Sequence, residues 1–351
     1  MDKKSKFKTL RWWENCKPPS EDENEELDYG ALIKTHPWIV KKNAKCILSP
    51  DSDGLLCGLF MSHYLNWEVA GFYDGKILIL KDGLKANNCV FLDMEIYREN
   101  IRSLGHHIVL FNKKRVPENW NNFRNCIQPN NIRGYDAYST VILNNKKRKN
   151  FSLKYPLASI HFLLGIVGSV KDIEIKKSAI CPLFYTDGTF KNLFNYPENC
   201  ISWINFLGGD NEKNALHKIF YNEHYLVSDL MLALSDFFKK LSDIGKNADK
   251  INMSNTKGEP VNLIKERGNY SIVEDEKNKV ERFLTMLSEL TKWDYKVNKW
   301  NWKFKIFKFS KRNIKPSNAR YDELMNNEPL SLAMTSGQAI EYTLEEPDKL
   351  P

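Results

Sequence analysis

Aspartates stand at places in the sequence where a metal ion or a phosphate could be bound. Residues 47–54 read I-L-S-P-D-S-D-G, so Asp51 and Asp53 follow an apolar run at once. Asp93 ends V-F-L-D, and Asp172 ends L-G-I-V-G-S-V-K-D. Carboxylate oxygens are the ligands that hard divalent ions prefer. The spacing therefore predicts a cation site, although each aspartate taken alone could also be a helix N-cap or a loop acid.

Short strands that alternate with helices must position these aspartates. Periodicity predicts buried strands at 45–48, 89–92 and 108–111, and helices at 54–67 and 95–104. This alternation predicts an α/β fold, with a parallel sheet in an N-terminal domain and a smaller α+β C-terminal domain. Because ligands bind beyond the carboxyl ends of parallel strands, we expect the aspartates that follow strands to share one rim.

Length and composition indicate more than one domain and a reducing compartment. The 351 residues are divided into an N-terminal arm, 1–43, an α/β domain, 44–195, and an α+β domain, 196–351. The seven cysteines form no C-x-x-C pair, which argues against a disulfide framework or a cysteine zinc site. The sequence has no apolar run of about 20 residues and no hydrophobic signal core, so we predict a cytoplasmic protein without a membrane partner.

The succession of these segments resembles the motifs of the DHH phosphoesterase superfamily, which includes RecJ-type exonucleases, oligoribonucleases and pyrophosphatases. S-P-D-S-D-G-L-L-C-G (49–58) resembles the first motif, and V-F-L-D-M-E (90–95) resembles the second. R-S-L-G-H-H-I-V-L-F-N-K-K (102–114) resembles the segment that leads to the third motif, and 164–172 resembles the fourth. The resemblance implies a metal-dependent phosphodiesterase that acts on single-stranded nucleic acid or short oligonucleotides.

Two departures from the family pattern alter the expected site. Residues 112–114 read N-K-K where the family has Asp-His-His, and Ile47 stands where the first motif usually begins with histidine. The resemblance then implies one Mn²⁺ or Mg²⁺ ion rather than two, held by Asp51, Asp53, Asp93 and Asp172. Lys113 and Lys114 are expected at the rim, where they would stabilise developing charge beside the catalytic aspartates.

The pair His106-His107 is interpreted as structural or as part of the surface. It precedes the strand predicted at 108–111, whereas the site is expected beyond the carboxyl end of that strand. A strand of about five residues would separate the two ends by roughly 16 Å. A further histidine, His161, lies in an apolar helix and is expected to be a satisfied core residue, and T-D-G-T (186–189) is interpreted as a turn.

Positive charge is concentrated near the C-terminus. The net charge of the chain is +8, and residues 292–315 contain nine cations and one anion. The run K-W-N-W-K-F-K-I-F-K-F-S-K-R (299–312) alternates aromatic and lysine residues and predicts a strand that ends or bulges after Phe307. Its cations are candidates for phosphate contacts: Lys303, Lys305, Lys308, Lys311 and Arg312. The alternative is a half-buried strand whose lysines are only solvated.

These observations leave two main functions open, with a nucleotide-binding sensor domain as a third alternative. One is the metal-dependent phosphodiesterase described above. The other is a catalytically inactive DHH-like module, without a metal ion, that binds nucleic acid or serves as a subunit of a larger protein complex. The missing histidines and the N-K-K run at 112–114 favour the second function, and the carboxylate spacing favours the first.

Overall fold

A nine-stranded mixed sheet forms the centre of the computed structural model, which describes residues 26–108, 110–143, 146–221 and 226–351. The strands are β1 Lys45–Leu48, β2 Glu68–Tyr73, β3 Ile77–Leu80, β4 Cys89–Leu92, β5 Arg102–Leu104, β6 Cys126–Ile127, β7 Thr140–Leu143, β8 Lys146–Lys149, β9 Leu263–Glu266, β10 Asn269–Ile272, β11 Lys303–Lys308, β12 Ser310–Ile314, β13 Ser331–Ser336 and β14 Ala339–Leu344. The α-helices are α1 Tyr29–Thr35, α2 Ser52–Leu65, α3 Pro129–Ile132, α4 Ser159–Gly168, α5 Ile180–Tyr185, α6 Thr189–Asn195, α7 Pro197–Phe206, α8 His217–Phe220, α9 Val227–Ile244, α10 Glu274–Thr291 and α11 Asn318–Asn326.

The strand order of the large sheet is β6-β5-β4-β1-β2-β3-β11-β10-β9. The first five strands in this order run parallel to one another, and each of the remaining four is antiparallel to its neighbours. A separate three-stranded sheet has the order β12-β14-β13. The predicted α/β class is therefore confirmed: one large sheet, mostly parallel in its N-terminal part, is accompanied by a smaller sheet.

The first strand and the first long helix form as the sequence predicts. The residues of β1 pair with both β2 and β4, and three of its four side chains are buried. Helix α2 begins after Asp51, whose side chain accepts hydrogen bonds from the backbone N–H groups of Asp53 and Gly54. It ends at Asn66, which adopts the left-handed conformation with φ 58°. Because nearly every residue of α2 is buried, this helix is held by packing on all its faces.

The structure corrects the prediction for residues 95–111. The sequence predicts a helix over 95–104, but residues 95–101 are irregular with a turn at 99–100, and residues 102–104 form β5, which pairs in parallel with β4 and β6. The strand predicted at 108–111 is also wrong, since Leu110 makes only an isolated bridge with Asp136. Pairing with two neighbouring strands outweighs the helical propensity of so short a segment. As a result, His106 and His107 follow a sheet strand instead of preceding one.

The C-terminal part of the chain completes the large sheet. Strand β11 pairs antiparallel with β3, and the break before β12 falls close to the predicted phase shift. Phe72 of β2 contacts the rings of Trp300, Trp302 and Phe304, with centroid distances of 6.5, 6.0 and 6.2 Å. One hydrophobic core contains residues from both sides of the predicted boundary between 195 and 196. The two sequence-predicted domains therefore share a sheet and a core.

Helix α4 lies in the apolar segment predicted to be helical and is too short to cross a bilayer. Across the described residues, the structure contains no helix with the length and apolar character of a membrane span. His161 of α4 is fully buried, and its Nδ1 accepts a hydrogen bond from the backbone N–H of Ala158. Its Nε2 has no hydrogen-bond partner in the described part of the chain, so the expectation of a satisfied core histidine is only half met.

We expect His161 to make folding sensitive to mild acid. Burial lowers the pKa of His161 to about 3 from an ordinary value of 6.5. As the pH falls below 6.5, the unfolded chain binds a proton that the folded protein does not, so stability is lost. This linkage removes about 2 kcal/mol near ~pH 5. His161→Gln keeps an acceptor for Ala158 and should flatten urea unfolding free energies between ~pH 7 and ~pH 5; an unchanged pH slope would contradict this account.

Candidate functional site

Polar side chains meet at the rim formed by the carboxyl ends of β1, β4 and β5. The chain passes from β1 to β2 on one side and returns to β4 on the other, which opens a crevice between β1 and β4. Asp51 lies three residues beyond β1, Asp93 directly follows β4, and His106 lies two residues beyond β5. Three neighbouring strands thus bring three potential ligands to one edge of the sheet.

Ser49 links the first two of these aspartates. Its Oγ lies 3.0 Å from Asp51 Oδ1 and 2.5 Å from Asp93 Oδ2. The same Asp51 oxygen accepts hydrogen bonds of 3.2 Å from the N–H groups of Asp53 and Gly54. Asp51 is therefore both the N-cap of α2 and part of the candidate site. The sequence allowed either role for this aspartate, and the structure is compatible with both.

Asp53 points at the N-terminus of helix α4. Its two carboxylate oxygens accept hydrogen bonds from the backbone N–H groups of Ser159, at 2.6 Å, and Ile160, at 3.0 Å. These N–H groups have no partner within their own helix, and the helix dipole favours negative charge there. Burial nevertheless raises the pKa of Asp53 to about 6, against the opposing effect of His106.

Asp93 is buried at the centre of the cluster. It adopts the left-handed region with φ 62°, which is uncommon for a residue with a side chain and typical of functional sites. Its Oδ1 accepts a 2.8 Å hydrogen bond from Ser159 Oγ and lies 3.7 Å from His106 Nδ1. Burial raises the pKa of Asp93 well above its ordinary value, and repulsion from Asp53 and Asp51 adds to the shift.

His106 belongs to the site, which corrects the interpretation of this residue as structural or superficial. The error came from the strand assignment: the residue follows β5, so it lies at the rim and not at the opposite edge. Its Nδ1 lies 2.9 Å from Ser159 Oγ, and its Nε2 lies 2.9 Å from Asp187 Oδ2. The G-H-H run directly before the predicted strand was the sequence signal for this ligand.

Asp187 reaches the site from a distant segment of the chain. It lies in a short turn, Thr186–Gly188, and a 3.0 Å contact between the hydroxyls of Thr186 and Ser52 ties this turn to α2. Its side chain is 43% exposed. Burial opposes ionisation of Asp187, but His106, His107 and Lys154 outweigh it and lower its pKa to about 2. The T-D-G-T run does form a turn as predicted, yet no local signal places that turn beside β5.

Asp172 lies elsewhere in the structure. It is exposed beyond the C-terminal end of α4, whereas Asp53 contacts the N-terminal end of the same helix. Ten helical residues span about 15 Å, so Asp172 is too far away to share an ion with Asp53. The small-residue run before Asp172 does form the predicted helix, but the site lies at its other end.

Lys113 and Lys114 are exposed on a turn that contacts the C-terminal part of the chain. The backbone N–H of Lys113 donates to Asp136, and that of Lys114 donates to Asn112 Oδ1. Asn112 in turn donates to Asn318 at the start of α11. In the described residues, no hydrogen bond or ion pair joins either lysine side chain to the aspartates of the rim.

The predicted nucleic-acid-binding cations differ in how they are paired. Lys305 donates to Gly268 O at 2.8 Å and lies 3.6 Å from Asp82. Lys311 pairs with Glu341 at 2.7 Å, and Arg312 pairs with Glu346 at 3.4 Å. The side chains of Lys303 and Lys308 are exposed and have no ion-pair partner among the described residues. The surface is basic, but part of its charge is already neutralised.

The donor set at the rim fits a divalent cation. Asp93, His106 and His107 each offer a ligand atom, and these atoms lie within 4.8 Å of one another. A mixture of carboxylate oxygen and imidazole nitrogen suits a first-row divalent ion such as Mn²⁺ better than Mg²⁺, which prefers oxygen alone. Bound positive charge would also offset the mutual repulsion of Asp51, Asp53 and Asp93.

Comparisons of the chain with protein-family models, curated proteins and solved structures gave no match.

Proposed function

We propose that this protein is a divalent-metal-dependent phosphoesterase with a single ion held by Asp93, His106 and His107. The observation that carries this proposal is the cluster of ligand atoms from these three residues, which lie within 4.8 Å of one another beyond the carboxyl ends of β4 and β5. Three donors of mixed oxygen and nitrogen type leave coordination positions open for substrate and water.

The cluster also supports the resemblance to the DHH superfamily, in a revised alignment. Gly105-His106-His107 follows the strand next to β4 and takes the place of the third motif, instead of the N-K-K run at 112–114. Asp187, which lies beside His106, takes the place of the aspartate of the fourth motif. The first position of the third motif, the histidine replaced by Ile47 and the segment before Asp187 then depart from the family pattern.

The chemistry of such a site follows from its charges. A bound divalent ion would polarise a phosphoryl group and make a water molecule acidic enough to attack phosphorus. Asp53 is kept in place by the N-terminus of α4, and Ser159 orients both Asp93 and His106. Asp51, which caps α2 and is half-buried, faces the crevice as the candidate acceptor for a proton. By resemblance, the substrates are single-stranded nucleic acid or short oligonucleotides.

The proposal is tested by titrating Mn²⁺ into metal-stripped protein and by following hydrolysis of a short labelled single strand. We expect one ion per chain, metal-dependent cleavage, and loss of both in the Asp93→Asn variant, which lacks the carboxylate ligand. Absence of Mn²⁺ binding in the folded wild-type protein would refute the proposal. Asp93 is buried, so circular dichroism must show that this variant remains folded.

A catalytically inactive nucleic-acid-binding module is the second candidate function. The observation that favours it is Gly105, which stands where the third motif has an aspartate, together with Ile47 in place of histidine. In that case the basic C-terminal surface would supply the affinity, either for a nucleic acid alone or within a larger protein complex.

We expect the salt dependence of single-strand binding to distinguish free from paired cations. Each phosphate contact contributes about −0.7 to the slope of log K against log salt on a single strand. Lys303→Gln should therefore make the slope shallower by ~0.7. Lys311→Gln is the matched control, because Lys311 is already paired with Glu341 and should change the slope less. A flat salt response of the wild-type protein, or equal effects of the two substitutions, would contradict a role of this surface.

A further inference from the structure

Glu95 is a buried carboxylate that the proposed metal site does not use. It is 2% exposed and lies two residues beyond Asp93. Its Oε1 accepts hydrogen bonds from the backbone N–H groups of His107, at 2.5 Å, and Ile108, at 3.1 Å. Its Oε2 lies 3.4 Å from His107 Nδ1. The two oxygens therefore have different partners: Oε1 accepts hydrogen bonds from the backbone, and Oε2 faces the imidazole of His107.

The carboxylate of Glu95 occupies space beside Gly105. A Cβ atom at position 105 would lie 2.7 Å from Glu95 Cδ, 2.9 Å from its Oε2 and 2.9 Å from the backbone carbonyl carbon of Met94. The φ angle of Gly105 is outside the left-handed region, so the obstacle to a side chain is this crowding and not the backbone conformation. Glycine is needed here because Glu95 and the Met94 backbone fill the volume that an aspartate at position 105 would require.

His107 is the residue whose imidazole lies next to the Glu95 carboxylate. Its ring stacks on that of His106, with centroids 4.2 Å apart and planes 30° from parallel. Its side chain is 30% exposed, so a ligand can reach it from the crevice. An imidazole whose Nδ1–H is donated to a carboxylate presents Nε2 as its free nitrogen, the arrangement that carboxylates impose on histidines in metal sites.

We propose that Glu95 is a positioning residue that holds His107 as the Nδ1–H tautomer, with its carboxylate in place of the aspartate that the family pattern has at position 105. His107 then presents Nε2 to the ion. The assignment of this ligand rests on the proposed function, whereas the pairing of Glu95 with His107 does not. The missing aspartate is in this view compensated and is not a sign of a lost activity.

The tautomer of His107 in metal-free protein is the first test. In Glu95→Gln, the backbone donors of His107 and Ile108 keep the amide oxygen at the Oε1 position, so the NH₂ group faces Nδ1. Nδ1 must then accept, and the neutral ring becomes the Nε2–H tautomer. We expect ¹⁵N chemical shifts of His107 to show Nδ1–H in the wild-type protein and Nε2–H in Glu95→Gln. The same tautomer in both folded proteins would overturn the proposal.

A swap of the carboxylate between the two positions is the second test. Glu95→Ala should lower the affinity for Mn²⁺ or the rate of hydrolysis by ~10- to 100-fold, as loss of a partner of a metal-site histidine does. Gly105→Asp in the Glu95→Ala background requires a shift of the Met94 backbone, which lies 2.9 Å from a Cβ atom at position 105. The folded double variant should regain the Nδ1–H tautomer, and its failure to do so would overturn the proposal. If the double variant does not fold, the tautomer of Glu95→Gln decides.

The two proposals can fail separately. A wild-type protein that binds no Mn²⁺ and cleaves nothing, but shows the tautomer switch, would refute the phosphoesterase and leave the pairing of Glu95 with His107 intact. A metal-dependent enzyme whose His107 keeps one tautomer in all variants would refute only the role of Glu95. If Glu95→Ala does not fold, Glu95→Gln alone decides, because it keeps the volume and the acceptor of the native side chain.

Discussion

We expect Asp187→Asn to weaken Mn²⁺ binding and to slow metal-dependent hydrolysis by ~10- to 100-fold, as loss of an outer partner of a metal-site histidine does. The carboxylate of Asp187 lies 2.9 Å from Nε2 of the ligand His106, and Asn keeps its shape and one oxygen but removes its charge. Because the side chain is 43% exposed, the substitution should leave the fold intact. Isothermal titration of metal-stripped protein measures the effect directly.

Asp172→Asn is the matched control for this experiment. Both aspartates are exposed and both follow helical segments, and both the sequence pattern and the family resemblance assign the metal-binding role to Asp172. The structure places Asp187 against His106 and places Asp172 at the far end of α4. Wild-type binding in Asp172→Asn beside weakened binding in Asp187→Asn would support the site described above. The reverse pattern, or equal losses, would refute this arrangement of the site.

We expect Gly54→Ala to destabilise the protein by about 1–3 kcal/mol, as added atoms in a closely packed region do, and to disrupt the metal site. A Cβ atom at this position would lie 2.2 Å from the backbone oxygen of Ser49 and 2.3 Å from its Oγ. The oxygen belongs to the backbone, so relief requires a shift of the loop between β1 and α2. That loop includes the hydroxyl that links Asp51 with Asp93, so the effect should reach the ligands.

Gly30→Ala provides the comparison for Gly54→Ala. Gly30 also lies in the first turn of a helix that an aspartate caps, since Asp28 accepts from Ala31 N–H at the start of α1. Its closest neighbour is a side-chain oxygen of Asp28 at 3.2 Å. There alanine should be neutral or stabilising by up to about 1 kcal/mol, because it is the better helix former. Urea unfolding of both variants measures the difference; equal behaviour would show that the approach of Ser49 does not matter.

The sequence by itself determined the half of the site that follows regular elements. The apolar runs before Asp51 and Asp93 were long enough to predict β1 and β4, and parallel strands bring their carboxyl ends to one edge. The D-S-D-G run carried its own N-cap, so the start of α2 followed from local chemistry. These features depend on neighbours within a few residues, which is the range over which sequence patterns are informative.

Only the tertiary structure decided the other half. β5 has three residues and no clear periodicity, and it is a strand because β4 and β6 lie on either side of it; that pairing moves His106 into the site. Asp187 lies 134 residues beyond Asp53 in the chain and contacts His106 from a short turn. The sequence of this turn predicts a turn but does not indicate its position in the fold. Contacts between segments so far apart in the chain follow from packing of the whole core, so local sequence patterns do not predict them.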